Sequence, residues 1–287
     1  MSNTVDPQKF KSMQRQGWDM SAEGWKKYWK VIEESTHVVS DKLVELAQIQ
    51  QGNRVLDIAT GLGEPAVTAA RKVGPGGKVT GIDISPGMLA IARERAKENG
   101  LEGIIEFKEA DAESFDLPNS AFDAILSRWG LMFMPELPSD LKAIREALVQ
   151  NGRIAAAVWA NPQKVPMLSL VFATVMKEAG VPPPAPGTPG PFSLADTNVL
   201  RERFEQAGFQ EISIESGNMN ARFPSPEEFT RFHQAATGPA RMMMAGLPAA
   251  RQQEIWNAIT EAARKHADPA TGVVSLDNEV IYVSARR

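Results

Sequence analysis

Five short apolar runs, RVLDIA (54–59), KVTGIDI (78–84), IIEFKEA (104–110), FDAILS (122–127) and RIAAAVW (153–159), are separated by segments with helical punctuation. Runs of this length read as buried strands, and helices between them act as crossover connections. Such connections are right-handed and build a mainly parallel sheet. Ser85 is placed to cap the helix that Pro86 opens and Gly100 to end it; Ser139 is placed to cap the next, ending near Gly152. Ahead of the first strand, a helix is predicted from Glu23 to Ile49, with Trp25, Trp29, Ile32, Val39 and Leu43 on one stripe and Tyr28 at its edge.

After Trp159 the rhythm changes. A helix at 166–179 leads into the proline-rich VPPPAPGTPGP (181–191). A helix at 197–207, a strand EISIES (211–216), a helical stretch at 223–268 and a last strand EVIYVSA (279–285) follow. The expected organisation is a helical cover at 1–50, a ligand-binding α/β core at 51–160, and a C-terminal part of that core at 161–287 with lid-like insertions at 161–195 and 217–275. Ligands of open α/β sheets sit beyond the carboxyl ends of the strands, where such insertions would cap them.

A net charge of −4 opposes an electrostatic grip on nucleic acid or an anionic membrane. The absence of cysteine excludes disulfides, thiolate metal sites and thiol nucleophiles, and accords with a cytoplasmic location. MSNTVDPQKFKSM has no apolar segment of the secretory kind, and MLSLVFATVM (167–176) is too short to span a bilayer, so a soluble protein is expected.

The turn after the first strand, in VLDIATGLGEPAV, decides the ligand. Gly61-Leu62-Gly63-Glu64-Pro65-Ala66 fits a dinucleotide fingerprint, and Asp83 follows Gly63 by twenty residues, where a ribose-binding carboxylate belongs. An NAD- or flavin-dependent oxidoreductase is therefore an alternative. Against it, Glu64 and Asp57 place two carboxylates where a pyrophosphate would need positive potential. They suit a ligand that is cationic nearby, such as S-adenosylmethionine. Asp83 can accept the ribose hydroxyls, Met88 can cover the adenine, and Asp111, with Ala112 beside it, can accept the adenine amino hydrogens. Read singly, Asp57 and Asp111 are also ordinary turn formers.

LDIATGLGEPA, GIDISPGML and EADAESFDLPNSAFD resemble successive motifs of the class I S-adenosylmethionine-dependent methyltransferases. SRWGLMFMPE, VWANP and PGPFSLAD extend the likeness to the bacterial small-molecule group related to the ubiquinone/menaquinone-biosynthesis type. The resemblance implies an α/β, Rossmann-like, seven-stranded and mostly parallel sheet with an antiparallel last strand. It maps cofactor contacts onto Asp57, Gly61, Gly63, Asp83, Met88, Asp111 and Ala112; Ser127, ending the fourth strand, is counted with them. The chain departs from the fuller D-x-G-x-G-x-G pattern at Ala59 and Pro65.

Ser127-Arg128-Trp129-Gly130 is not the Asn/Asp-Pro-Pro-Tyr of amino-methylating DNA enzymes, and Ser127-Arg128 and Ala160-Asn161 stand where the catechol type holds magnesium. A metal-independent reaction is expected, on a small apolar or aromatic acceptor. A hydroxyl or acidic carbon acceptor needs a general base, whereas an amine need only arrive deprotonated. His233 is the leading base candidate; His37 lies off the tryptophan stripe, where a solvated position competes with catalysis, and His266 reads as a surface residue. Arg128 either positions a polar group or pairs with a carboxylate. Trp129, Met132 and Phe133 are expected to floor the acceptor pocket, with Trp159 and Asn161 facing the same crevice. Trp25, Tyr28 and Trp29 form either an aromatic lid or a core stripe. A cofactor-binding protein that does not methylate is a further alternative.

Overall fold

The computed structural model describes residues 6–112, 117–185 and 187–287; the middle of EADAESFDLPNSAFD, at 113–116, lies outside them. The elements are α1 (Pro7–Leu46), β1 (Arg54–Ile58), α2 (Ala66–Val73), β2 (Lys78–Asp83), α3 (Pro86–Glu98), β3 (Ile105–Glu109), β4 (Phe122–Arg128), α4 (Leu137–Ala147), β5 (Leu148–Trp159), α5 (Pro166–Ala179), α6 (Thr197–Gln206), β6 (Gln210–Phe223), α7 (Pro226–Ala236), α8 (Gly238–Met244), α9 (Ala249–Arg264) and β7 (Val274–Arg286). Among these residues one seven-stranded sheet has the order β3-β2-β1-β4-β5-β7-β6. Its first five strands are parallel, and β7 runs antiparallel to β5 and β6. Strands β1, β4 and β5 are buried nearly throughout, as apolar runs covered by helices on both faces must be. The order reverses between β1 and β4, which puts the ligand crevice at their carboxyl ends.

Several boundaries differ from the sequence expectation. Helix α1 begins at Pro7, not Glu23, with Asp6 accepting hydrogen bonds from the N–H groups of Gln8 and Lys9. Strands β6 and β7 extend to Phe223 and back to Val274, because they pair with each other far beyond the rest of the sheet. Ser139 lies inside the first turn of α4, its hydroxyl donating to the Glu136 carbonyl, and Gly152 lies within β5. Pro65 immediately precedes α2 instead of opening it.

Helix α1 crosses the carboxyl ends of the strands like a strap. Its Lys11 and Arg15 pair with Asp111 and Glu109 at the end of β3. Asp19 accepts hydrogen bonds from the Ser85 hydroxyl and from Gly87 N at the start of α3. Thr36 and Ser40 meet Arg128 at the end of β4, and Lys42 pairs with Glu215 on β6. Gly24 permits the crossing with α7: a Cβ there would stand 2.2 Å from the Ala235 carbonyl oxygen.

Candidate active site

Two adjoining cavities lie under this strap. The first, of about 190 Å³, is bounded by the turn after β1, the ends of β2, β3 and β4, and α1. The turn is built from left-handed backbone: φ is 54° at Gly61, 91° at Gly63 and 58° at Ala59, so the alanine that departs from the glycine pattern still adopts the glycine conformation. Gly61 has open space where a side chain would be, whereas a Cβ on Gly63 would press on Phe107 at 3.2 Å and Ala92 at 3.3 Å. Gly61 thus lines the cavity and Gly63 packs behind it.

Asp57 is buried beneath the turn, outside the cavity lining. Its Oδ2 accepts from Thr60 Oγ1 at 2.6 Å and from Ala66 N at 3.0 Å, pinning the turn to the start of α2. Burial pushes its carboxyl up to about 7. Asp83 does line the cavity, accepting from Gly61 N at 2.8 Å and Ser85 N at 2.9 Å, and burial pushes it up to about 6. Met88, Asp111 and Ala112 line the same space. Ser127 is buried and lines neither cavity; its Oγ stands 2.6 Å from where a Cβ on Gly130 would be.

Glu64 answers the question of the crowded carboxylates. Its Oε2 accepts from Thr68 Oγ1 at 2.7 Å, and its Oε1 lies 3.6 Å from Arg95 Nη2. Arg95 also lies 3.6 Å from Glu33 Oε2, donates to the Leu62 carbonyl at 2.6 Å and covers the ring of Trp29. Arg128, half-buried, adds a second cation, which burial disfavours and which Glu64, Glu33 and Asp57 support. Burial, with Glu33 nearby, raises the Glu64 carboxyl above the ordinary range. Two bare carboxylates beside the turn were expected; instead Glu64 is balanced by arginine. The acidic groups at the cavity wall without such an arginine clamp are Asp83, held by backbone N–H groups, and Asp111, paired with Lys11.

The second cavity, of about 130 Å³, shares Trp18, Trp25, Ile32, Trp129 and Phe133 with the first. Trp129 stacks on Trp159 with ring centroids 4.3 Å apart, and Met132 and Phe133 complete that wall. His233 lies on the opposite element, α7, buried among Phe223, Phe229 and Phe232, with Nδ1 2.7 Å from Thr237 Oγ1. Burial lowers it to about 3. Arg128 reaches the first cavity while its Nη1 donates to Ser40 Oγ at 2.8 Å and Thr36 Oγ1 at 3.1 Å. Trp25 lines both cavities and Trp29 the first.

Three further candidates join Asp57, Gly63 and Ser127 outside both cavities. His37 is on the exposed side of α1, with Nδ1 3.1 Å from the Glu34 carbonyl. Tyr28 packs edge-on against Phe232, and Asn161 is exposed and accepts from Gln163 N. Residues that the sequence reading passed over include Trp18, Glu33, Thr60 and Arg95 in the first cavity and Met167, Phe172 and Phe223 in the second. Trp18 was findable, since it precedes Trp25 by two helical turns on one stripe.

Sheet order, antiparallel β7, glycine turn and carboxylates at successive strand ends define a Rossmann-like methyltransferase fold. Comparison with known proteins agrees. Residues 49–179 match the family described as "Methyltransferase domain". The ubiquinone/menaquinone biosynthesis C-methyltransferase UbiE of Pseudomonas putida is 36% identical over 119 residues, 42% of this chain and 46% of that protein. The chain thus spans just under half the length of such curated relatives. The YcgJ protein of Bacillus subtilis superposes with a TM-score of 0.58 at 19% identity, covering 88% of this chain and 98% of that one. Phosphoethanolamine N-methyltransferase 2 of Haemonchus contortus, solved with S-adenosyl-L-methionine, gives 0.54 at 18% identity over 87% and 52%. Over the residues matched, the chain is similar to S-adenosylmethionine-dependent methyltransferases, the UbiE group among them.

Proposed function

We propose that the chain transfers a methyl group from S-adenosylmethionine to a small apolar or aromatic acceptor, without a metal, in the cytoplasm. The observation that carries this is the pair of adjoining cavities, one with carboxylates at its wall and one apolar, which share an aromatic collar. The first has side chains that suit S-adenosylmethionine: Asp83 to accept from the ribose hydroxyls, Met88 against the adenine and Asp111 to accept from its amino group, with Ala112 beside it. Asp57 and Gly63 act from behind, by holding the turn in shape, and Ser127 packs against Gly130. When bound, S-adenosylmethionine supplies an electrophilic methyl group on a sulfonium. The protein's part is to align donor and acceptor and keep water out, which Trp18, Trp25, Trp129 and Phe133 do at the collar.

The described lining of the second cavity includes no Asp, Glu, Lys, Arg or Tyr, and its one titratable group, His233, is held neutral. A base so weak favours an acceptor whose reacting atom is nucleophilic on arrival. The proposal of metal independence rests on the strand ends, where Ser127-Arg128 and Ala160-Asn161 stand in place of metal-holding carboxylates. The relatives' carbon methylation in quinone biosynthesis puts oxygenated aromatics first among acceptors to try.

The test is mass spectrometry of host extract incubated with the full chain and deuteromethyl donor. A small product carrying a trideuteromethyl group, formed equally with excess chelator, supports the proposal. Tight S-adenosylhomocysteine binding without transfer to any acceptor would instead mark a non-methylating binder.

A further inference from the structure

The second cavity has polar groups on its wall, and several are already engaged. Ser35 donates to the Val31 carbonyl at 3.1 Å, Thr36 accepts from Arg128, and Trp25 Nε1 donates to the Ala236 carbonyl at 2.9 Å. Thr237 is taken by His233 Nδ1. Two wall residues differ: Trp129 Nε1 and His233 Nε2 are buried and have no hydrogen-bond partner among the described residues. Enclosed polar atoms without partners are rare in native interiors and call for an explanation. The indole N–H can only donate, and the neutral imidazole offers either a donor or an acceptor.

Trp129 is held firmly for such a task. It stacks on Trp159, lies under the Arg128 guanidinium at 5.3 Å, and takes a left-handed backbone with φ of 60°, which a bulky residue adopts only when its surroundings impose it. It also belongs to the collar that both cavities share. His233 comes from a different element, α7, and is fixed by Thr237 and three phenylalanines.

Resting on the reading of this cavity as the acceptor site, we propose that Trp129 and His233 are positioning residues that hold the acceptor by two hydrogen bonds. Trp129 Nε1–H donates to an oxygen or nitrogen lone pair, and His233 Nε2 bonds a second polar substituent. The acceptor class is then an apolar molecule, flat enough to lie among the rings, with two neutral hydrogen-bonding groups of which at least one accepts. Burial keeps His233 uncharged, so an anionic substituent gains nothing from it.

The test uses the full chain with 15N-labelled tryptophan, saturated with S-adenosylhomocysteine, and three probes: naphthalene, 2-naphthol and 2,6-dihydroxynaphthalene. The Trp129 indole resonance, assigned from Trp129→Phe, is expected to move downfield with both hydroxylated probes and not with naphthalene. Each hydroxyl is expected to tighten binding roughly tenfold, with Trp129→Phe abolishing one increment and His233→Phe the other. Equal movement with all three probes, or no binding of any, overturns the inference, and wild-type affinities that do not rise from naphthalene to 2-naphthol to 2,6-dihydroxynaphthalene overturn it even if a variant misfolds. Failure of S-adenosylhomocysteine to bind would overturn the underlying cofactor reading as well; its binding with a silent Trp129 overturns this inference alone.

Discussion

Asp83→Asn separates stability from ligand binding in one substitution. Burial lifts the Asp83 carboxyl from 3.8 to about 6. At 1.36 kcal/mol per unit, ionised Asp83 costs the empty fold about 3 kcal/mol above neutral pH. The folded value is the higher one, so the stability linked to this group is fully present below 3.8 and is lost as pH rises through about 6. Asparagine has the same shape and no charge. It also has one acceptor fewer for the N–H groups of Gly61 and Ser85, which costs about 1 kcal/mol. The variant should therefore be more stable than wild type by about 2 kcal/mol at pH 8, melting about 4 °C higher, with the gain gone near pH 4. With a carboxylate oxygen lost to the ribose hydroxyls, S-adenosylhomocysteine should bind about 30-fold more weakly. Thermal melts at both pH values and calorimetry with S-adenosylhomocysteine measure the two effects. A variant that melts lower at pH 8 and binds S-adenosylhomocysteine like wild type would refute the reasoning and make Asp83 a purely structural carboxylate.

Gly63→Ala must place a side chain at φ 91° against Phe107 and Ala92, and should cost about 2 kcal/mol or more, whereas Ala59→Gly should gain about 1 kcal/mol by relieving a left-handed alanine; chemical denaturation checks both. Arg128→Met leaves Glu33 and Glu64 with Arg95 alone and unties α1 from β4, so a loss of about 3 kcal/mol is expected in the same assay. Asp19→Ala removes the side chain that holds α1 to the start of α3, at about 1 kcal/mol, and should speed hydrogen exchange across the first turns of α1 more than elsewhere.

The five parallel strands and the glycine turn were legible because buried strands and tight turns impose local composition: β-branched runs, then Gly61 and Gly63 where φ is positive. Asp83, Met88 and Asp111 were read from their places at or just after strand ends and, with Ala112, from the family resemblance, and they line one cavity. The first half of α1 was not legible, since PQKFKSMQRQG carries no regular apolar stripe; it is ordered by tertiary ion pairs such as Lys11 with Asp111. Glu64 was misjudged for the same reason. Its neighbour Arg95 lies on α3, thirty-one residues later, and only folding brings the charges together. His37, Tyr28 and Asn161 had plausible residue types at plausible heights, but helix phase turned the first two away from the cavities and a local turn used the third.

Calorimetric titration of the full chain with S-adenosylhomocysteine and, separately, with NAD tests most directly what the space beneath the strap accepts. Saturable heat with the sulfur nucleoside, and none with the dinucleotide, is the expected result. Binding of NAD by a chain indifferent to S-adenosylhomocysteine would contradict it.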